Sequence, residues 1–217
     1  MDKTYKYFAI FKPYGILSQF SRPEPHHKTL ADLGFRFPHD IYPVGRLDQD
    51  SEGLLILTND KTLNHLLLNP EFKHRRAYAV QVDGQISEDA IQQLKNGVDI
   101  KLAKKIYHTM PANAMLLPEG IDIAERDPPV RFRKMIPTSW LELSLVEGKN
   151  RQVRKMCATT GFPVLRLVRT RIEKLLLDDL KSGEVREMDG KILKRLLKTQ
   201  QKKQSPLTYR QISLKIN

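Results

Sequence analysis

Two stretches of the chain are densely apolar and two others alternate. YKYFAIF (5–11) is rich in aromatic and β-preferring side chains and predicts a strand, which KPYG (12–15) closes with a turn. GLLILT (53–58) is an unbroken short apolar run, the pattern of a buried strand. AYAVQVDG (77–84) alternates, with Tyr78, Val80 and Val82 on one face and Ala77, Ala79 and Gln81 on the other. WLELSLVEG (140–148) alternates too, with Leu141, Leu143 and Leu145 sharing a face, and GEVREM (183–188) predicts a late strand.

Helical spacing appears between these strands. KTLNHLLLN (61–69) follows a cap at Asn59 or Asp60 and has an apolar face of Leu63, Leu66 and Leu67. Ser87 caps a helix through Lys95, with Glu88 and Asp89 in its first turn and Gly97 past its end. NRQVRKMCATTGFP (150–163) reads as a helix with Asn150 as cap, Gly161 as stop and Pro163 beyond. On it Val153, Met156 and Cys157 face the core, Arg154 borders that stripe, and Arg151 and Lys155 point further out. A short helix is expected near Thr29–Leu33, inside a polar, Pro-rich stretch over 18–43, and 98–136 is irregular with strand-like pieces. Strands and helices mix without regular βαβ alternation, so the expected class is α+β with a mainly antiparallel sheet.

The 217 residues suffice for a sizeable core, and 40% apolar with 29% charged content is a globular composition. No window approaches ~18 uninterrupted apolar residues, and the N-terminus lacks a signal-peptide pattern. Cys157 is the sole cysteine, so no internal disulfide forms, and a cytoplasmic location with no membrane partner is expected. The net charge of +12 favours a polyanionic partner. Residues 191–217 carry eight basic residues and no acid. That segment is a solubilising tail, a binder of the polyanionic partner or, through Leu193, Leu196 and Leu197, an amphipathic helix on the core.

Chemistry concentrates in YPVGRLDQDSEGLLILTND (42–60), which places Asp48, Asp50 and Glu52 at the mouth of the buried strand. A polar loop with Asx turns would look the same. So would an active site, because a carboxylate against apolar surface needs a partner. Arg154 could bury its stem and aim its guanidinium at one of them; a plain basic solvent face is the alternative. The six histidines show no metal-ligand spacing, and HExxH, CxxC, a Gly-rich phosphate loop and G-x-S-x-G are all absent.

KPYG, GRLDQDSEGLLILTND, RAYAVQVDG and EGKNRQVRKMCATTGFPVLRLVR together, in this order, resemble the pseudouridine synthases of the RsuA/RluA superfamily. The resemblance spans roughly residues 7–189 and is strongest to the RsuA-type branch. RKMIPTSWLELSLVEGKNRQVRKM is most similar to its E-type, large-subunit rRNA members. The resemblance implies a pseudouridine synthase catalytic domain over 1–190, without the S4-like N-terminal domain of many relatives, followed by a basic tail over 191–217. It implies isomerisation of a specific uridine in large-subunit (23S) rRNA, in domain V near the peptidyl-transferase region. No cofactor is expected, since the reaction is redox-neutral and transfers no phosphoryl group; no metal is expected either, and the enzyme is expected to be a monomer. By position in the motifs, Asp48 matches the catalytic aspartate and Arg46 the arginine that assists base flipping. Tyr78 matches the tyrosine that packs on the uracil, Arg154 the basic partner of the aspartate, and Leu167 the aliphatic wall of the base pocket. Asp50 and Glu52 are expected to serve the loop or its solvent side. Lys12, Arg151, Lys155 and Arg169 are the RNA-binding candidates. Charge alone would also suit a non-catalytic rRNA-binding or ribosome-assembly protein, and a site of this kind would suit a nucleoside hydrolase; neither explains the long GRLD run.

Overall fold

The computed structural model describes residues 4–118, 120–131 and 136–197. Its centre is a mixed, mostly antiparallel sheet. The main strands are β1 (Tyr7–Lys12), β2 (Glu52–Thr58), β3 (Arg76–Asp83), β4 (Asn113–Leu116), β5 (Thr138–Leu145), β6 (Val164–Ile172) and β7 (Val185–Glu187). They lie in the order β7-β1-β2-β6-β3-β5-β4, with the short strands Tyr42–Pro43 and Leu175–Leu176 added to β2 and β6. Among the described residues four α-helices flank them: α1 (Lys61–Leu68), α2 (Glu88–Asn96), α3 (Gln152–Thr159) and α4 (Gly190–Leu197).

The strand patterns explain where the core lies. Tyr7, Ala9 and Phe11 of β1 and Leu54 and Ile56 of β2 pack against α1 and α4. The intervening Phe8, Ile10, Leu55 and Leu57 pack under Leu30 and Ile41, so β1 and β2 are buried on both faces. Further along the sheet, Val80, Val82, Leu141 and Leu143 meet Ile91 and Leu94 of α2 and Val153, Met156 and Cys157 of α3. Leu66 departs from the expected α1 face: Leu63 and Leu67 are buried, while Leu66 is exposed.

Among the described residues, the sole parallel junction on the main path joins β2 to β6, registered through Val168 with Glu52 and Arg169 with Gly53. Here the strands approach closely. Gly53 has φ +104°, and a Cβ on it would lie 2.3 Å from the Arg169 carbonyl oxygen. Only glycine fits, which accounts for the residue between Glu52 and the apolar run.

α3 starts later than expected. Asn150 does not cap it; Arg151 holds that position in a left-handed conformation (φ 52°), with no side-chain cap. Its guanidinium is drawn instead to Asp50, as described below. The irregular 98–136 stretch contains a hairpin, Asp99–Leu102 with Lys105–His108, before β4.

The basic C-terminal segment divides at Leu197. Residues up to Leu197 form α4, whose Leu193 and Leu197 are buried; residues 198–217 lie outside the described residues, and the expectation of RNA binding there with them. Asp60 anchors α4 to α1. It caps α1 by accepting from the Thr62 and Leu63 amides, and also accepts from Tyr7 Oη (2.7 Å) and Lys194 Nζ (2.8 Å). Burial raises its carboxyl, but the Lys194 and Tyr7 contacts outweigh this and hold it below the usual carboxylate range. A depressed carboxyl contributes stability in full above its unfolded pKa of ~3.9, and that contribution is lost as pH falls through the lower folded value. Asp60→Asn keeps the cap and removes the charge. It should cost about 1 kcal/mol at pH 7, discounted for the exposed Lys194. Thermal melts from pH 7 to pH 2 should show the two proteins converging at the acid end.

Candidate active site

The loop 44–51 presents the acidic cluster, and the turn after β1 clamps it. Ser18 Oγ donates to the Leu47 carbonyl (2.8 Å) and accepts from the Leu47 amide (3.0 Å). The Gly15 amide donates to the Gln49 carbonyl (2.8 Å), and Gln49 Nε2 returns a bond to the Gly15 carbonyl (3.2 Å). Lys12, expected to face RNA, is fully buried: its ammonium donates to the carbonyls of Pro13 (2.8 Å) and Ile16 (2.6 Å). Burial lowers its pKa to about 7 against the opposing pull of Glu52, Asp50 and Asp48. Lys12 therefore holds the turn beside the acidic loop.

The three carboxylates have three different fates. Glu52 is interior, not loop or solvent side: both its oxygens accept from buried Arg166, Oε1 from Nε and Oε2 from Nη2, each at 2.9 Å. β2 carries Glu52 and the adjacent β6 carries Arg166, so strand pairing brings them together. Asp50 takes the arginines of α3 and its N-terminus. Arg151 donates to it through both terminal nitrogens (3.0 and 2.7 Å). Arg154 donates to the Asp50 carbonyl (2.6 Å) and lies 3.4 Å from its carboxylate. Burial raises the Asp50 carboxyl, and these arginines outweigh that and hold it low. Asp48, with its side chain 35% exposed, has Arg151 at 3.6 Å.

This corrects the expected Arg154–Asp48 pair. The i, i+3 spacing of Arg151 and Arg154 lets both reach one loop, and the more deeply seated Arg154 meets the backbone and side chain of Asp50 while Arg151 spans both aspartates. Burial lowers the pKa of Arg154, with the charges of Asp50 and Asp48 acting the other way.

Asp48 opens onto a cavity of about 670 Å³ whose walls include Arg46, Tyr78, Arg151, Leu167 and Arg169. Tyr78 is half-buried and Leu167 buried. Arg46 is exposed at the rim and donates to Gln19 Oε1 (3.1 Å). Arg169 departs from its expected outward role: it is buried, opposite Tyr78 in strand register, with Nε donating to the Leu54 carbonyl (2.7 Å). Burial lowers its pKa, opposed by Tyr78. It forms wall beneath the tyrosine. Arg151 is exposed, and half-buried Lys155 reaches Asn150 Oδ1 at 3.4 Å.

Sequence reasoning overlooked Ser18 and the Glu52–Arg166 pair. Ser18 sits in a polar stretch with nothing to single it out; Arg166 could have been suspected from its place within the apolar VLRLV run. The structure also brings ligand atoms of Glu24, His26 and His27 within 4.8 Å of one another on a largely exposed loop, a proximity no spacing rule indicated. No helix among the described residues is long and apolar enough to cross a membrane.

A cavity with the partly exposed Asp48 carboxylate beside the buried Glu147, an aromatic wall and an arginine rim suits chemistry on a flat polar ring delivered by a polyanion. Comparisons with known proteins agree. A family profile described as RNA pseudouridylate synthase matches residues 6–159. A protein of Xanthomonas axonopodis pv. citri named ribosomal large subunit pseudouridine synthase E is 48% identical over 170 residues, covering 78% of this chain and 86% of its own. Its namesake from Xanthomonas campestris pv. campestris is 45% identical over 184 residues, covering 84% and 95%. A crystal structure of a pseudouridylate synthase superposes with a TM-score of 0.71 at 24% identity, covering 89% of this chain and 74% of the other, and so shares the fold. The chain belongs to the RNA pseudouridylate synthase family.

Proposed function

We propose that this protein converts one specific uridine of large-subunit (23S) rRNA to pseudouridine, in domain V near the peptidyl-transferase region. The observation that carries the reading is Asp48 at the mouth of a 670 Å³ cavity walled by Tyr78 and Leu167. The names of the relatives support the rRNA substrate. The reaction breaks the N1–C1′ bond, rejoins the base through C5, and moves the C5 proton off the ring as N1 gains one. Asp48 is the nucleophile or the base in that exchange. The target base must leave its stack to reach it, at a cost of a few kcal/mol. Arg46, at the rim, assists that extrusion; Tyr78 packs on the ring and Leu167 lines its pocket. Arg151 lies 3.6 Å from the Asp48 carboxylate and orients it, while Asp50 and Arg154 fix the loop. Arg151 and Lys155 face the RNA backbone. The protein works as a cytoplasmic monomer.

Pseudouridine mapping in rRNA tests this. Cells lacking the protein should lose a single pseudouridine in domain V, restored by the wild-type gene and not by Asp48→Asn. An unchanged rRNA map would overturn the assignment.

In this reading residues 1–190 are the catalytic domain and 191–217 a basic tail that adds RNA affinity. The buried leucines of α4 mean that ending the chain at 190 would lower stability. Ending it at Leu197 separates the two effects, because it removes Lys198, Lys202, Lys203, Arg210 and Lys215 and spares α4. If three of these contact phosphate, the slope of log K against log salt should flatten by about two units. An unchanged slope would remove the tail from the RNA interface.

A further inference from the structure

Beside the catalytic cleft lies a second hollow, about 820 Å³, which the reaction does not use. Its wall is aromatic: Phe20, Phe35, Phe37 and Tyr42 line it. The rings form a preassembled array. Phe37 stands edge-on to Phe8 (5.4 Å between centroids) and to Phe20 (5.3 Å), and lies tilted against Phe35 at 4.7 Å. Phe8 belongs to the buried core under the sheet, so the array is anchored from below. Its outer members are open, Phe35 37% exposed and Tyr42 62% exposed. Contiguous exposed apolar surface of this kind is a feature of ligand-binding grooves.

The hollow is continuous with the cleft. Gly45, Arg46 and Leu68 line both. At this junction the backbone is tight: Gly45 has φ +71°, and a Cβ there would lie 2.9 Å from Leu68 Cδ2. Arg46, bonded to Gln19 Oε1, stands between the two hollows with its charge available to a phosphate.

We propose that this aromatic groove binds the base next to the target uridine in the same RNA strand. The proposal rests on the reading of the adjacent cleft as the uridine site. Extruding one base from a stack uncovers the face of its neighbour, and an aromatic wall replaces the lost stacking without regard to sequence. Arg46 then sits opposite the phosphate that links the two nucleotides. Continuity with the uridine cleft, a cation at the junction and a net charge of +12 favour an RNA occupant over a peptide or a second copy of the chain.

The test uses the full chain and an unmodified transcript of large-subunit rRNA. Filter binding is compared for wild type, Tyr42→Leu, Tyr42→Trp and the Phe35→Leu/Tyr42→Leu pair, with melting curves alongside. Tyr42 is mostly exposed, so its single variants spare the core. The double variant should bind roughly tenfold more weakly, the usual worth of one stacked base, and Tyr42→Trp should bind like wild type. Chemical probing of the base beside the mapped uridine should show protection by wild type and exposure with the double variant. Unchanged affinity for Tyr42→Leu and for the pair, or a loss that Tyr42→Trp shares, would overturn the proposal. So would a wild-type dimer that Tyr42→Leu converts to monomer at unchanged RNA affinity, which would make the groove a self-interface. Wild type that binds the transcript yet forms no pseudouridine would instead sink the catalytic reading, and the affinity comparison would still decide whether the groove holds RNA.

Discussion

Asp48→Asn should lower pseudouridine formation by at least about a thousandfold, in line with the loss of a group that moves a proton or bond in the transition state. Fold and RNA affinity should stay near wild type, and the geometry says why. The Asp48 side chain is 35% exposed and its near cation, Arg151, is held independently by two hydrogen bonds to Asp50. Asn has the same shape, so the loop clamped by Ser18 and Gly15 has no cause to move. Release of tritium from C5-labelled uridine measures the reaction, and filter binding with melting curves reads the rest. Turnover within tenfold of wild type would exclude Asp48 as the reacting group.

Glu52→Ala should do the opposite, wrecking stability before chemistry. It strips the partner from Arg166, whose guanidinium is buried beside the β2–β6 junction. Breaking a buried ion pair from one side costs about 3–5 kcal/mol, because a desolvated charge remains. For a chain of this size that lowers the melting temperature by roughly 10 °C. Replacing both partners, as Glu52→Leu with Arg166→Met, removes the stranded charge and should recover most of the loss. Urea unfolding of wild type and these two variants gives the comparison. A single variant as stable as wild type would show that the pair contributes little, and that its burial is tolerated instead of needed.

These two neighbours in sequence, four residues apart, behave so differently because of where the strand begins. Asp48 lies in the loop; Glu52 is the first residue of β2, and the strand turns its side chain inward toward β6. Nothing in the order of acids along 48–52 distinguishes them. The same holds for the cations. Lys12 and Arg169 are residue types that normally stay in water. Here backbone carbonyls of Pro13, Ile16 and Leu54 lie within reach inside the fold, and that supply of acceptors makes burial tolerable. The aromatic groove was equally hidden. Phe20, Phe35 and Phe37 fall in a stretch without helical or strand periodicity, and only the packing under β1 and β2 assembles them.

Local pattern alone pointed to strands at 5–11, 53–58, 77–84 and 140–148, which the structure places at Tyr7–Lys12, Glu52–Thr58, Arg76–Asp83 and Thr138–Leu145, and to the core stripe Val153, Met156 and Cys157 and the motif that holds Asp48. Those signals are short-range: alternation, a 3.6-residue period and a contiguous motif each survive in the sequence read by itself. The pairing of Arg154 with Asp50, of Arg166 with Glu52, and the interior place of Lys12 came only with the tertiary structure. Arg154 and Asp50 are 104 residues apart, and Arg166 and Glu52 are 114 apart. Which cation reaches which carboxylate depends on the register of β2 on β6 and on the seat of α3 beside the loop. Those are non-local quantities, set by the packing of the whole sheet and carried by no single segment.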